Sequence, residues 1–318
     1  MNDKQINRWL RKQFSRIGWI LLLYYGLMVL LTSLTNAADM AAQSLSAFLA
    51  GDFRRQIDWD LINSNAWGYI AAMLVGFAVL DAWKGKNFWK QEVLAKEDSM
   101  RPGIFLCMLC FCMGAQMVNS LWITLLELLL MPFGRSVMPI LESVSGDSDT
   151  ISLFLYASVF APVWEELLFR GYVLRALRPY GRRFAVLGSA ILFGLFHGNL
   201  LQTPYAVLMG LVFGYVTVEY SIHWAVLLHL FNNLVLADLM TRLTANWSEL
   251  AYGTLNLVLL GGSAVISLII LMKNRVGIRN YCRSEWMDRR CLRCFFTSPG
   301  VLLLTVLMGV NMLLLFVW

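Results

Sequence analysis

Apolar residues run in long blocks along this chain, at 17–35, 66–83, 103–132, 151–174, 184–198, 205–220, 224–240, 252–272 and 300–318. Most reach or approach the roughly 20 residues that a helix needs to cross the hydrocarbon core of a bilayer. The pattern predicts an all-α, polytopic transmembrane helix bundle of eight or nine helices, the short fifth and sixth being the marginal ones. Two polar segments interrupt it. Residues 36–65, with "GDFRRQIDWD", read as an amphipathic loop on the outer face, and residues 84–102, "KGKNFWKQEVLAKEDSMRP", as one on the inner face.

Composition agrees with that reading, because 58% hydrophobic content, 14% charge and a mean hydropathy of +0.62 over 318 residues lie outside the soluble range. The basic residues supply an orientation. They gather before the first block (Lys4, Arg8, Arg11, Lys12, Arg16), between the second and third (Lys84, Lys86, Lys90, Lys96, Arg101), around 175–183 and between Lys273 and Arg293. The positive-inside rule then predicts a multi-pass protein with a cytoplasmic N-terminus, and short loops with a basic N-terminus suit a bacterial cell membrane. The net charge of +6 needs no nucleic acid, since a basic face towards anionic membrane lipid accounts for it.

The first block follows basic residues as a signal peptide would, but its length favours a retained helix. Cys107, Cys110 and Cys112 fall in the third block and Cys282, Cys291 and Cys294 in a basic loop, so no extracellular disulfide framework is expected. Three regions result: 1–150 with N-terminal helices and amphipathic loops, 151–240 with the concentrated chemistry, and 241–318 with C-terminal helices.

The chemistry begins at "FAPVWEELLFRG", residues 160–171, which places three charges where charge is expensive. Glu166 and Arg170 are four apart and share a helical face, which suits an internal ion pair. Glu165 points about 100° away, without that partner, and is a general-base candidate. If the basic turn centres on Gly181, then Glu165 and His197 of "FGLFHGN" stand sixteen residues to either side and reach similar depth. His229 and Asn233 of "HLFNN" again share a face. His229 is only about six residues past its own turn, so the hairpin carrying Glu165 and His197 must extend roughly 15 Å beyond that level. His223, Glu127, Glu219 and Asp81 read as interfacial, and Asn311 as helix-packing glue.

Glu165, Glu166 and Arg170, then Phe193 and His197, then His229 and Asn233 resemble the EExxxR, FxxxH and HxxxN motifs of the CAAX-prenyl-endopeptidase and bacteriocin-processing (CPBP, or ABI) intramembrane proteases. The resemblance implies an endopeptidase acting on a membrane-associated peptide or protein. In it Glu165 and His197 activate water, His229 and Asn233 stabilise the oxyanion, and Glu166 and Arg170 support the helix. A zinc ion held by Glu165, His197 and His229 is the alternative to a metal-free site, but the spacing is not HExxH and the resemblance favours no cofactor. A non-catalytic adaptor or bacteriocin-immunity protein using the same cavity is the rival function. Substrate identity and oligomeric state stay open.

Overall fold

The computed structural model describes residues 2–94, 99–144, 150–284 and 288–314. Lys96 and the end of the last apolar block lie outside them. All regular elements among the described residues are helical. We number the principal helices α1 (Asp3–Leu49), α2 (Trp67–Lys84), α3 (Pro102–Leu130), α4 (Ile151–Tyr180), α5 (Arg182–Phe196), α6 (Thr203–Glu219), α7 (Ile222–Thr244), α8 (Glu249–Lys273), α9 (Arg275–Ser284), α10 (Arg289–Phe296) and α11 (Pro299–Leu314).

Each apolar block is helical over most of its described residues, but fewer than expected can span. Six helices among the described residues are long and apolar enough to cross a membrane, and seven if α10 and α11, bent by 63°, make one broken span. The predicted eight or nine is corrected at α5 and α6, which have 15 and 17 residues. At 1.5 Å per residue they fall short of a roughly 30 Å core.

A second correction concerns residues 36–65. Helix α1 does not stop at 35 but continues to Leu49, 47 residues in all. Its extension "NAADMAAQSLSAFL" is made largely of good helix formers, with no Gly or Pro before Gly51. At the other end Asn2 and Gln5 form a reciprocal capping box, each side chain accepting from the other's backbone N–H.

Small residues let the helices approach closely. A Cβ on Gly18 would fall 2.1 Å from the carbonyl carbon of Gly300, so α1 and α11 cross backbone to backbone. Ser15 fastens the crossing by accepting from the Gly300 N–H at 2.9 Å. Asn311 acts as the expected glue, donating to the Tyr25 hydroxyl at 2.8 Å.

The α4–α5 hairpin positions the site. Gly181, at φ +117°, makes its turn. Phe169 and Phe193, equidistant from Gly181, bring their rings to 5.2 Å, and the Ser189 hydroxyl donates to the Phe169 carbonyl at 2.8 Å. Residues equally far from the turn therefore do meet. Helix α6 packs back along α5 and ends where Glu219 pairs with Arg182 at 3.6 Å and accepts from the Tyr281 hydroxyl at 2.8 Å. Helix α7 starts at a deeper level, with Ile222 facing Gly171, well short of Gly181.

Candidate active site

Two backbone features bring the charged residues together. Helix α4 is α-helical over Ala161–Glu166 but π-helical on both sides, at Tyr156–Phe160 and Leu167–Leu174. Helix α7 changes to a π-helical stretch at Phe231–Leu239, just past His229. Such i→i+5 stretches are uncommon and tend to occur at functional sites. Here they flank Glu165 and Glu166 and contain Asn233.

Glu166 and Arg170 form the predicted pair, Oε1 to Nη1 at 2.9 Å, with both side chains 0% exposed. The guanidinium lies over the faces of Phe193, at 4.4 Å, and Phe213, at 5.3 Å. Aromatic faces thus receive the part of the cation that Glu166 does not bond, including the unbonded Nε and Nη2.

His229 joins this pair to Glu165. Its Nδ1 lies 3.0 Å from Glu166 Oε1, and since a carboxylate accepts, Nδ1–H donates. The other ring nitrogen, Nε2, faces Glu165 Oε2 at 3.8 Å, too far for a direct hydrogen bond. Phe213 stacks on the imidazole at 4.7 Å and Phe193 meets it edge-on at 6.1 Å. Packing and the Glu166 bond together fix the ring's orientation.

The two glutamates differ in access. The Glu165 side chain is 24% exposed whereas Glu166 is closed off. Tyr24 packs on Trp164, the residue before Glu165, with ring centroids 5.3 Å apart.

His197 caps the end of α5 and donates from Nδ1 to the Phe193 carbonyl at 2.9 Å. Its Nε2 is then the basic nitrogen of a neutral ring. Phe193 touches it edge-on at 4.9 Å, so one aromatic ring contacts both histidines.

Asn233, four residues past His229 on α7, donates from Nδ2 to the Ala157 carbonyl at 3.0 Å. Its Oδ1 accepts from Asn232 Nδ2 at 3.0 Å, and Asn232 in turn accepts from the Tyr205 hydroxyl at 3.1 Å. One Asn233 N–H has no part in these bonds.

Among the described residues no group of three or more His, Cys, Asp and Glu is placed to hold a metal ion. Each histidine donates from Nδ1, His229 to Glu166 and His197 to a carbonyl, which leaves Nε2 as the free nitrogen of both rings.

The structure brings Glu165, Glu166, Arg170, His229 and Asn233 to one helix interface and His197 to the neighbouring helix end, whereas sequence reasoning set Glu166 with Arg170 and His229 with Asn233 on separate shared faces. Sequence reasoning missed the buried Asn232, Tyr205 and the Phe213 stack. Asn232 had a signal, as the first amide of "HLFNN"; Phe213 and Tyr205 had none, since apolar-helix aromatics look alike in sequence.

No curated protein and no solved structure matches the chain. A family model described as Type II CAAX prenyl endopeptidase Rce1-like matches residues 147–235, under a third of the chain, and that span holds all the charged and amide residues just described. This central segment, set in a multi-pass helical membrane protein, is thus similar to the type II CAAX prenyl endopeptidases.

Proposed function

We propose that the chain hydrolyses a peptide bond in a membrane-associated peptide or protein by a glutamate- and histidine-activated water, with no metal in the step. The observation that carries this reading is the division of labour between adjacent carboxylates. Glu166 is sealed against Arg170 and His229, which leaves Glu165 as the carboxylate that a water and a substrate carbonyl can reach.

In this reading Glu165 takes a proton from water while the basic Nε2 of His197 orients it, and the oxygen attacks the scissile carbonyl. The carbonyl oxygen becomes an oxyanion. The second N–H of Asn233 donates to it, and His229, its ring held by Glu166, does so from Nε2 when that nitrogen carries a proton. Collapse breaks the C–N bond, and the proton held by Glu165 passes to the leaving amine. The products are one new carboxylate and one new amino terminus, with one water consumed.

The basic clusters favour a cytoplasmic N-terminus in a bacterial cell membrane. The test is hydrolysis by the purified chain in lipid nanodiscs made in heavy-oxygen water. One heavy oxygen in the new carboxylate, at a rate unchanged by chelators, is the expected result. A rate that collapses with chelator and returns on adding zinc would overturn the metal-free step.

A further inference from the structure

Two neighbouring hollows lie outside the chemistry described so far, and they share an edge. The first is a cup of about 730 Å³ between the start of α1 and the α10–α11 bend. Lys4, Arg8, Arg11, Lys12 and Arg16 line it, at spacings that put all five on one face of α1. No acidic residue is among its described lining. The acid nearest in sequence, Asp3, is paired with Arg290 at 3.0 Å.

The second hollow, about 500 Å³, is an apolar groove between α1 and α2 lined by Leu23, Tyr24, Leu80, Trp83 and Trp164 among others. Arg16 and Trp19 belong to both. The rim carries the marks of a membrane interface. Trp19 and Trp83 are half exposed, and the Lys84 ammonium lies over the rings of Trp83, Phe88 and Tyr172 at 4.5–5.1 Å.

We infer that cup and groove together bind one anionic phospholipid, the headgroup among the five cations and an acyl chain along the groove. Charge complementarity selects the headgroup, as in other basic pockets between membrane helices. Continuity with the apolar groove selects a lipid, because a soluble phosphate or an acidic peptide has no use for a hydrocarbon channel. The groove floor is Trp164, the residue before Glu165, and Tyr24 on its wall packs on the Trp164 ring at 5.3 Å. The lipid chain would therefore lie against the back of the helix turn that carries the candidate base. Lipid binding here stands independently of the hydrolysis reading.

The test uses native mass spectrometry of the full chain in detergent, with phosphatidylglycerol and phosphatidylcholine of identical acyl chains at equal concentration. The wild type is expected to retain phosphatidylglycerol at least about tenfold better. Each of the Lys4→Gln, Arg8→Gln, Arg11→Gln, Lys12→Gln and Arg16→Gln changes should reduce that preference by up to about fivefold, the equivalent of about 1 kcal/mol per surface cation. All five together should abolish it. Val79→Trp, which fills the groove, should weaken retention with the cations intact. A control set, Lys86→Gln, Lys90→Gln, Arg275→Gln, Arg279→Gln and Arg283→Gln, should leave it unchanged.

Equal retention of both lipids by the wild type would overturn the inference. So would an equal loss in the control set, which would mean diffuse attraction. Displacement by an equimolar amount of glycerol phosphate would assign the cup to a free phosphate and overturn the lipid assignment.

Discussion

His229 donates to Glu166 at 3.0 Å while its other nitrogen faces Glu165, so one imidazole separates a buried, ion-paired carboxylate from an accessible one. Adjacent residues on a helix point in different directions, and here that turns two identical side chains into a structural group and a reactive one. Substitution at each position tells the two apart.

Glu165→Gln and Glu166→Gln should differ sharply in stability. Glu165 makes no direct hydrogen bond to His229 and is partly exposed, so its amide should leave the thermal midpoint in detergent almost unchanged. Glu166→Gln leaves Arg170 buried and uncompensated, and breaking a buried pair this way costs about 3–5 kcal/mol. Thermal unfolding of matched preparations measures both, and equal midpoints would contradict the assigned roles.

Arg170→Lys should not rescue Arg170→Met. The guanidinium is held over the faces of Phe193 and Phe213, and a lysine ammonium cannot reproduce that planar contact while reaching Glu166. Both variants are expected to unfold at clearly lower temperature, and a lysine variant with wild-type stability would show that the aromatic contacts matter little.

Asn233→Ala should lower the cleavage rate by about 10²–10³ if its spare N–H meets the oxyanion. Asn232→Ala removes the partner of Asn233 Oδ1 and of Tyr205 without touching that N–H. A clearly smaller loss is expected from it. Steady-state rates at equal protein level separate the two, and a larger loss in Asn232→Ala would reverse their roles.

Gly18→Ala and Gly300→Ala should each destabilise the chain, because the α1–α11 crossing has no room for a methyl group. Gly26 on the same helix has open space to 4 Å around the place a methyl group would take, so Gly26→Ala should be neutral or mildly stabilising. Comparing the three thermal midpoints checks the close crossing directly.

Much of the site is legible in the order of residues alone. Charge inside an apolar run is costly enough to be a signal by itself, and the four-residue spacings at Glu166–Arg170 and His229–Asn233 placed the side chains on common faces. The hairpin symmetry about Gly181 also held, as Phe169 and Phe193 show. What escaped was of two kinds. The π-helical stretches around Glu165 and through Asn233 depend on backbone packing and leave no residue pattern. The Glu166–His229 bond is a contact between distant helices, and spacing within one helix is silent about it. The excess of predicted spans had a simpler cause. Hydropathy marks α5 and α6 as apolar, but their lengths are too short to cross a bilayer core.

The most direct test of the central claim compares free amino termini of peptides in membranes holding the wild type or Glu165→Gln at matched levels. The account predicts new termini with the wild type that vanish with the variant, since the amide keeps the shape of Glu165 but cannot take a proton from water. Identical profiles, with the wild-type phenotype intact in the variant, would contradict it and point to a protein that binds a partner through this site without cleaving it.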